Sequence, residues 1–168
     1  SELQHDIEAL AQLVTLAGGR CEWSFTPFAI CDAGDDKGLG VFATRQLQAG
    51  ERILSEAPLV HWRNAMMIRG MHDSFAPLER IVSELDAERK RKFFAFGQCP
   101  LYGEEVGTRG IWLTNALPLL TACAGNFDSK FEAAMFATLS RFNHSCTPTC
   151  HYEWNSQRQQ MTVHMVRP

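Results

Sequence analysis

The sequence lacks an excess of either charge: 16 basic and 19 acidic side chains leave a formal net charge of −3 over 168 residues. That balance provides no electrostatic footprint for nucleic acid, so direct nucleic-acid binding is not expected. It also lacks an apolar run of membrane-spanning length, and its opening stretch SELQHDIEALAQLV is acidic and amphipathic, unlike a basic signal peptide. The chain therefore reads as soluble and intracellular, nuclear or cytoplasmic, with no membrane partner. No Cys-x-x-Cys pair occurs among Cys21, Cys31, Cys99, Cys123, Cys146 and Cys150, which argues against a zinc finger built from this chain alone. With no secretory segment in view, reduced thiols are expected in place of a disulfide framework. A Gly-x-Gly-x-x-Gly run ahead of a helix is missing too, so Gly38-Leu39-Gly40 is not a dinucleotide fingerprint.

What is present fits one domain able to bury a sizeable core, with 45% hydrophobic residues. Leu3, Ile7, Leu10 and Val14 fall on one helical stripe that stops at Gly18 and Gly19, predicting an N-terminal helix over 1–19. From Phe28, short apolar runs alternate with turn clusters. Strands are expected near Phe28 to Cys31, Gly40 to Thr44, Arg52 to Ser55 and Leu59 to Trp62.

APLERIVSELDAERKRKFFAFG then predicts two helices, one with Pro77 in its first turn and one capped by Asp86 and ending at Gly97. The basic run Arg89 to Lys92 reads as a solvated helix face. RGIWLTNALPLL and FEAAMFATLSRF are further apolar segments, and HYEWNSQRQQMTVHMV is a hairpin turning at Asn155 to Arg158. Trp62, Trp112 and Trp154 are assigned to the core, and Cys99, Cys123 and Cys150 are read as small buried hydrophobes. Strands, then helices, then a hairpin predict an α+β fold of several small β-sheets, divided as N-terminal helix 1–19, first half 20–62, helical insertion 63–110 and second half 111–168.

The chemistry concentrates in SRFNHSCTPT, where Asn143, His144, Ser145 and Cys146 set an amide, an imidazole, a hydroxyl and a thiol in a row. A nucleophile reading would pair Cys146 or Ser145 with His144. Residues two apart on an extended chain do not converge at their tips, and no orienting third group stands at a recognisable spacing, so that reading ranks low.

This block resembles the Arg-Phe-x-Asn-His-Ser-Cys-x-Pro-Asn signature of SET-domain protein lysine methyltransferases. KGLGVFATRQLQAGERIL resembles their Gly-x-Gly strand and the turn after it, and GIWLTNALPL is similar to a segment of the SET-and-MYND branch and its fungal relatives. Taken alone, Gly38 and Gly40 would be read as a tight strand connection; the two blocks in family order favour a site.

The resemblance implies a SET-type fold, incomplete at its C-terminal end, that transfers a methyl group from S-adenosyl-L-methionine to a lysine of a protein or peptide, histone or non-histone. The task of such a site is in-line positioning in a pocket shielded from water. By the resemblance, Gly38, Leu39 and Gly40 let backbone approach the cofactor, with Lys37 at its carboxylate. Asn143 offers its amide and His144 mainly its backbone, Arg141 and Phe142 line the same wall, and Asn115 is a further contact.

The pattern departs from the family in places. Thr149 stands where the family has a second asparagine, and no cysteine or histidine cluster follows Trp62 where a MYND finger would lie. Neither tyrosine, Tyr102 or Tyr152, matches the family's catalytic one, which the resemblance puts beyond Pro168. The catalytic residue is therefore unknown, and the 168 residues alone are expected to be inactive. Cys146 would join a structural zinc only with a cysteine-rich tail, and no metal is expected in this chain by itself. The competing expectation is a catalytically silent SET-like module that binds a protein partner or peptide. Dimerisation through a sheet edge left open by truncation is expected as well.

Overall fold

The computed structural model describes residues 21–22, 26–34, 38–63, 75–102, 107–119 and 132–168. The helix expected over 1–19, together with Lys37 and Cys123, lies outside the described residues. The chain divides into two compact units, the first formed by 1–55, 141–153 and 162–168, the second by 56–140 and 154–161.

The first unit opens with a three-stranded antiparallel sheet of order β1-β2-β3, from Cys21–Glu22, Phe28–Asp32 and Leu39–Ala43. The β2–β3 register runs from Phe28 opposite Ala43 to Asp32 opposite Leu39. Alternation buries Ala29 and Cys31 with Phe42 packed against them, as a pleated strand with one covered face requires. At the end of this ladder the Ala33 N–H donates to the Gly38 carbonyl at 2.7 Å, and the Asp32 carboxylate accepts the Gly34 N–H at 2.9 Å. Gly38 has φ +70, a left-handed conformation that glycine adopts without a Cβ penalty.

Cys31 is disulfide-bonded, which corrects the expectation of reduced thiols throughout. Pairing depends on which Cα atoms the fold brings within bridging distance, and that cannot be read from spacing along the chain. Cys99, Cys146 and Cys150 are free thiols.

A second sheet has the order β4-β9-β8, from Arg52–Glu56, Gln160–Met165 and Cys150–Asn155. The hairpin turns at 156–159, where Asn155 accepts the Arg158 N–H at 2.9 Å and Gln159 takes φ 51. In the first unit, the segment leaving β9 is tied to two loops. Gly50 N–H donates to the Met165 carbonyl at 2.8 Å, Met165 N–H to Glu51 at 2.9 Å, and Val166 N–H to the Thr149 carbonyl at 2.8 Å. Thr149 therefore holds this crossing through its backbone. The turn before β4 is stapled by Glu51, whose carboxylate accepts from the Arg45 guanidinium and from the Gln48 N–H. The Arg45 side chain, then the Gln48 backbone, hold that carboxyl below its ordinary range.

The second unit contains a sheet of order β5-β7-β6, from Val60–Trp62, Ala133–Met135 and Leu117–Pro118. Central β7 is buried along its whole length. FEAAMF was read only as apolar, because alanine is a weak strand former and fits here by its small size between covered faces.

Three helices pack nearby in sequence: α1 over Ala76–Ser83, α2 over Ala87–Phe94 and α3 over Thr108–Asn115. Pro77 sits in the first turn of α1, and Leu78 and Val82 form its buried stripe. Asp86 caps α2 as expected, but that helix stops at Phe94, short of Gly97, because Ala95 and Phe96 N–H groups turn back to Arg91 and Phe93 carbonyls. Arg89 is more than a solvated charge: its guanidinium donates to the Pro58 and Leu59 carbonyls at 2.9 and 2.6 Å, tethering α2 to the start of β5. The core of this unit gathers Leu59, Val60, Leu78, Val82, Phe93, Phe96, Ile111, Trp112, Ala133 and Met135. Trp62 packs on it half-buried. Among the described residues no helix is long and apolar enough to cross a membrane.

The Asp86 cap carries a pH signature. Its carboxylate accepts the Arg89 N–H at 2.8 Å, and that bond, more than any other cause, holds its pKa below the ordinary 3.8. A depressed carboxylate contributes stability above its unfolded pKa and loses it as pH falls through the folded value. Asp86→Ala is therefore expected to lower the melting temperature at pH 7, with the gap from wild type closing once the pH drops below 3.8. Thermal scans of both proteins across that range provide the check.

Candidate functional site

The site begins at Gly40. Its φ lies outside the left-handed region, so turn geometry does not explain the glycine. Space does. A Cβ at Gly40 would stand 2.9 Å from Asn143 Nδ2, and 3.2 Å from both Ala33 Cβ and Phe42 Cε2. The amide of the Asn-His block thus rests against the bare Cα of the Gly-x-Gly strand, within one unit. Strand pairing presents this glycine: Gly40 is opposite Cys31 in the β2–β3 ladder, with Leu39 opposite Asp32.

The other wall residues follow from a short 3-10 turn over Leu139–Arg141. Arg141 and Phe142 are half-buried, while Asn143 and His144 are exposed, so an amide and an imidazole face outward from a part-covered base. Gly38 is exposed and Leu39 half-buried. An open rim of glycine backbone beside a carboxamide suits a zwitterionic amino-acid group, since it offers both donors and an acceptor at close approach.

Asn115 belongs to the second unit. It donates both amide hydrogens to backbone carbonyls, to Gly97 at 2.8 Å and Ile111 at 2.7 Å, bracing the end of α3 against the segment after α2.

Tyr152 lies on β8, exposed and stacked on the His151 ring with centroids 6.1 Å apart, so it takes no part in the contact between Gly40 and Asn143. Pro168 is exposed. It follows Arg167, whose guanidinium donates to the Pro148 carbonyl at 3.1 Å, so residues 166–168 run beside the Asn-His block in the first unit.

His144 Nε2 and Cys146 Sγ are 3.4 Å apart, which corrects the expectation that their tips would not meet. That expectation assumed an extended chain. Residues 142–145 are not in a strand, the chain bends at Cys146 and Thr147, and the Thr147 N–H bonds the Ser145 hydroxyl at 3.2 Å, curling the segment. Both members of the pair are solvent-exposed. Cys150 is half-buried, and burial raises its thiol pKa above the ordinary value. Among the described residues no group of three His, Cys, Asp or Glu side chains could hold a metal ion.

Sequence reasoning overlooked Glu56. Its carboxylate accepts the Thr138 N–H at 2.9 and 3.2 Å and the Leu139 N–H at 2.9 Å. The only hint was an acidic residue closing an apolar strand, and no spacing rule states which distant N–H groups it would meet.

Comparison with known proteins identifies the family. Residues 38–168 match the family model described as SET domain. Histone-lysine N-methyltransferase set5 of Schizosaccharomyces pombe is 28% identical over 136 residues, covering 79% of this chain and 35% of that protein. The chain therefore spans about a third of the length of this curated relative. No solved structure matches it with significance. With most of its length inside the family model, and the Gly-x-Gly and Asn-His blocks meeting at Gly40 and Asn143, the chain belongs to the SET-domain family.

Proposed function

We propose that these residues form the S-adenosyl-L-methionine-binding part of a protein lysine methyltransferase. The observation that carries the reading is the contact of the Asn143 amide with the Cβ-less face of Gly40. The cofactor supplies an electrophilic methyl on a sulfonium. The chain's own residues would bind and orient it: Gly38, Leu39 and Gly40 with their backbone, Lys37 by its charge toward the carboxylate, and Asn143 and His144 at the amino-acid and adenine ends. Arg141 and Phe142 form the wall that excludes water from one side, which favours in-line attack by a neutral lysine amine.

The acceptor is a lysine of a protein, with a histone as the first substrate to test because the fission-yeast relative is named for histone lysine. The protein works in the nucleus or cytoplasm, and residues 63–110 form an insertion between two halves of the catalytic fold. Methyl transfer is proposed for the whole protein, of whose curated relative this chain covers 35%.

Calorimetric titration with S-adenosyl-L-methionine tests the reading, paired with a thermal scan, because a ligand that binds only the folded state raises apparent stability by mass action. Saturable heat and a rising melting temperature are expected. An absence of both at millimolar cofactor overturns the cofactor reading and leaves a silent module that binds a protein partner. A labelled-methyl assay on the whole protein with mixed histones reports the transfer itself.

A further inference from the structure

We propose that the disulfide of Cys31 is a redox-responsive positioning element for the contact between Gly40 and Asn143, so that cofactor affinity follows the oxidation state of this one bond; the inference rests on the cofactor reading above. All of its parts lie in the first unit. Central strand β2 carries Cys31 between two backbone partners, Cys21 opposite it on β1 and Gly40 opposite it on β3. Residues directly opposite across an antiparallel pair project to the same face of the sheet, and so does the residue two further along a strand. Cys31, the bare Cα of Gly40 and Phe42 therefore share a face. Phe42 joins them physically: it packs against the Ala29 and Cys31 pair, and its Cε2 stands 3.2 Å from where a Gly40 Cβ would be. The Asn143 Nδ2 closes on the same spot at 2.9 Å, so only one ring and one glycine separate the buried sulfur from the amide.

Cys31 is 1% exposed, which leaves no slack around its sulfur. Breaking the bond replaces one covalent link by two thiols that must stand at van der Waals separation, and in a packed site the extra room is made by shifting β2 or the Phe42 ring. Either shift reaches the Gly40 face. Thiol–disulfide exchange supplies the step: a dithiol gives two electrons and two protons, the S–S bond at Cys31 becomes two thiols, and the dithiol closes to its own disulfide. Oxidation runs the same exchange backward with a small-molecule disulfide. Access comes by way of β1, an edge strand of two residues where few ladder bonds have to open. In the nucleus or cytoplasm proposed above, a disulfide is uncommon and is characteristically a redox-sensing one.

The test uses the isotope-labelled protein, oxidised or treated with dithiothreitol, with S-adenosyl-L-methionine as the probe. Intact mass after alkylation reports the disulfide, while Cys99, Cys146 and Cys150, already free, are the same in both states. Dithiothreitol is expected to open the Cys31 disulfide, to raise the Kd about fivefold or more with the fold retained by circular dichroism, and to shift the Asn143 side-chain amide resonances. Cys31→Ala is expected to show the reduced-state Kd with or without dithiothreitol. The proposal is overturned by the absence of a disulfide at Cys31, by a disulfide that dithiothreitol does not open in the folded protein, or by unfolding on reduction. A lowered melting temperature with unchanged Kd and unmoved Asn143 resonances overturns it as well, since that is what a merely structural staple produces. If Cys31→Ala does not fold, the dithiothreitol comparison on the wild type decides alone. If neither redox state binds cofactor, the cofactor reading fails separately and the Asn143 resonances decide: movement on reduction supports the redox element, and no movement overturns it.

Discussion

Gly40→Ala is expected to weaken S-adenosyl-L-methionine binding about fivefold or more while leaving the protein folded. Backbone conformation does not forbid alanine, because Gly40 is not among the glycines with positive φ. The added methyl meets Asn143 Nδ2 at 2.9 Å, closer than unbonded atoms settle, and the exposed asparagine side chain is the neighbour best able to give way. Overpacking of this kind costs about 1 to 3 kcal/mol, which a domain of typical stability survives. The displaced amide is another matter: a lost hydrogen bond to ligand costs about 1 to 3 kcal/mol, equivalent to about fivefold to a hundredfold in affinity.

Gly50→Ala provides the contrast. At φ +83 with nothing within 4 Å, its methyl clashes with no neighbour but strains the backbone, so stability falls and affinity changes little. Calorimetry and thermal melts on both variants separate the two effects. Equal loss of affinity in both would refute the packing argument. Asn143→Ala supplies a further check, since losses at Gly40 and Asn143 acting through one contact must sum to less than additivity.

Trp112→Ala is expected to cost about 3 to 5 kcal/mol, the range for removing a buried aromatic, and so to consume much of a typical domain's stability. Trp112 is 1% exposed and stands edge-on to Trp62 with ring centroids 5.9 Å apart. Its neighbours in the cluster come from β5, β7 and all three helices, so no single element can close the cavity left behind. Urea unfolding should show a lower midpoint with an unchanged slope. A loss below about 1 kcal/mol would mean that the cluster repacks, contrary to the density expected of a protein interior.

Much of this was legible in the sequence because the signals were local. Phe28, Gly40, Arg52 and Trp62 each fall within the strands expected for them, and Pro77 and Asp86 open α1 and α2 as their chemistry dictates. The resemblance paired Gly40 with Asn143 in one site, and the close approach supplies the physical reason for the glycine. What stayed hidden depends on tertiary partners. Glu56 and Arg89 look like ordinary surface charges until the fold shows the backbone groups they satisfy. The bend that brings Cys146 to His144 could not be inferred from a rule for extended chains. Ala133 to Met135 defied strand propensity because burial overruled it.

The crossing at Thr149 bears on how the protein comes to be folded. Gly50 and Glu51 close onto Met165 across most of the chain's length, and the same stretch must also reach Thr149. Contacts of such long sequence separation are made late, since loop-closure entropy is lost before they return anything. Asn143 lies between the two ends of this closure, so on the ribosome the glycine strand would emerge, paired with β2, well before Asn143. The nascent chain would present Gly40 without the amide until the Asn-His block has cleared the exit tunnel, and binding competence would arrive as one of the last events of folding.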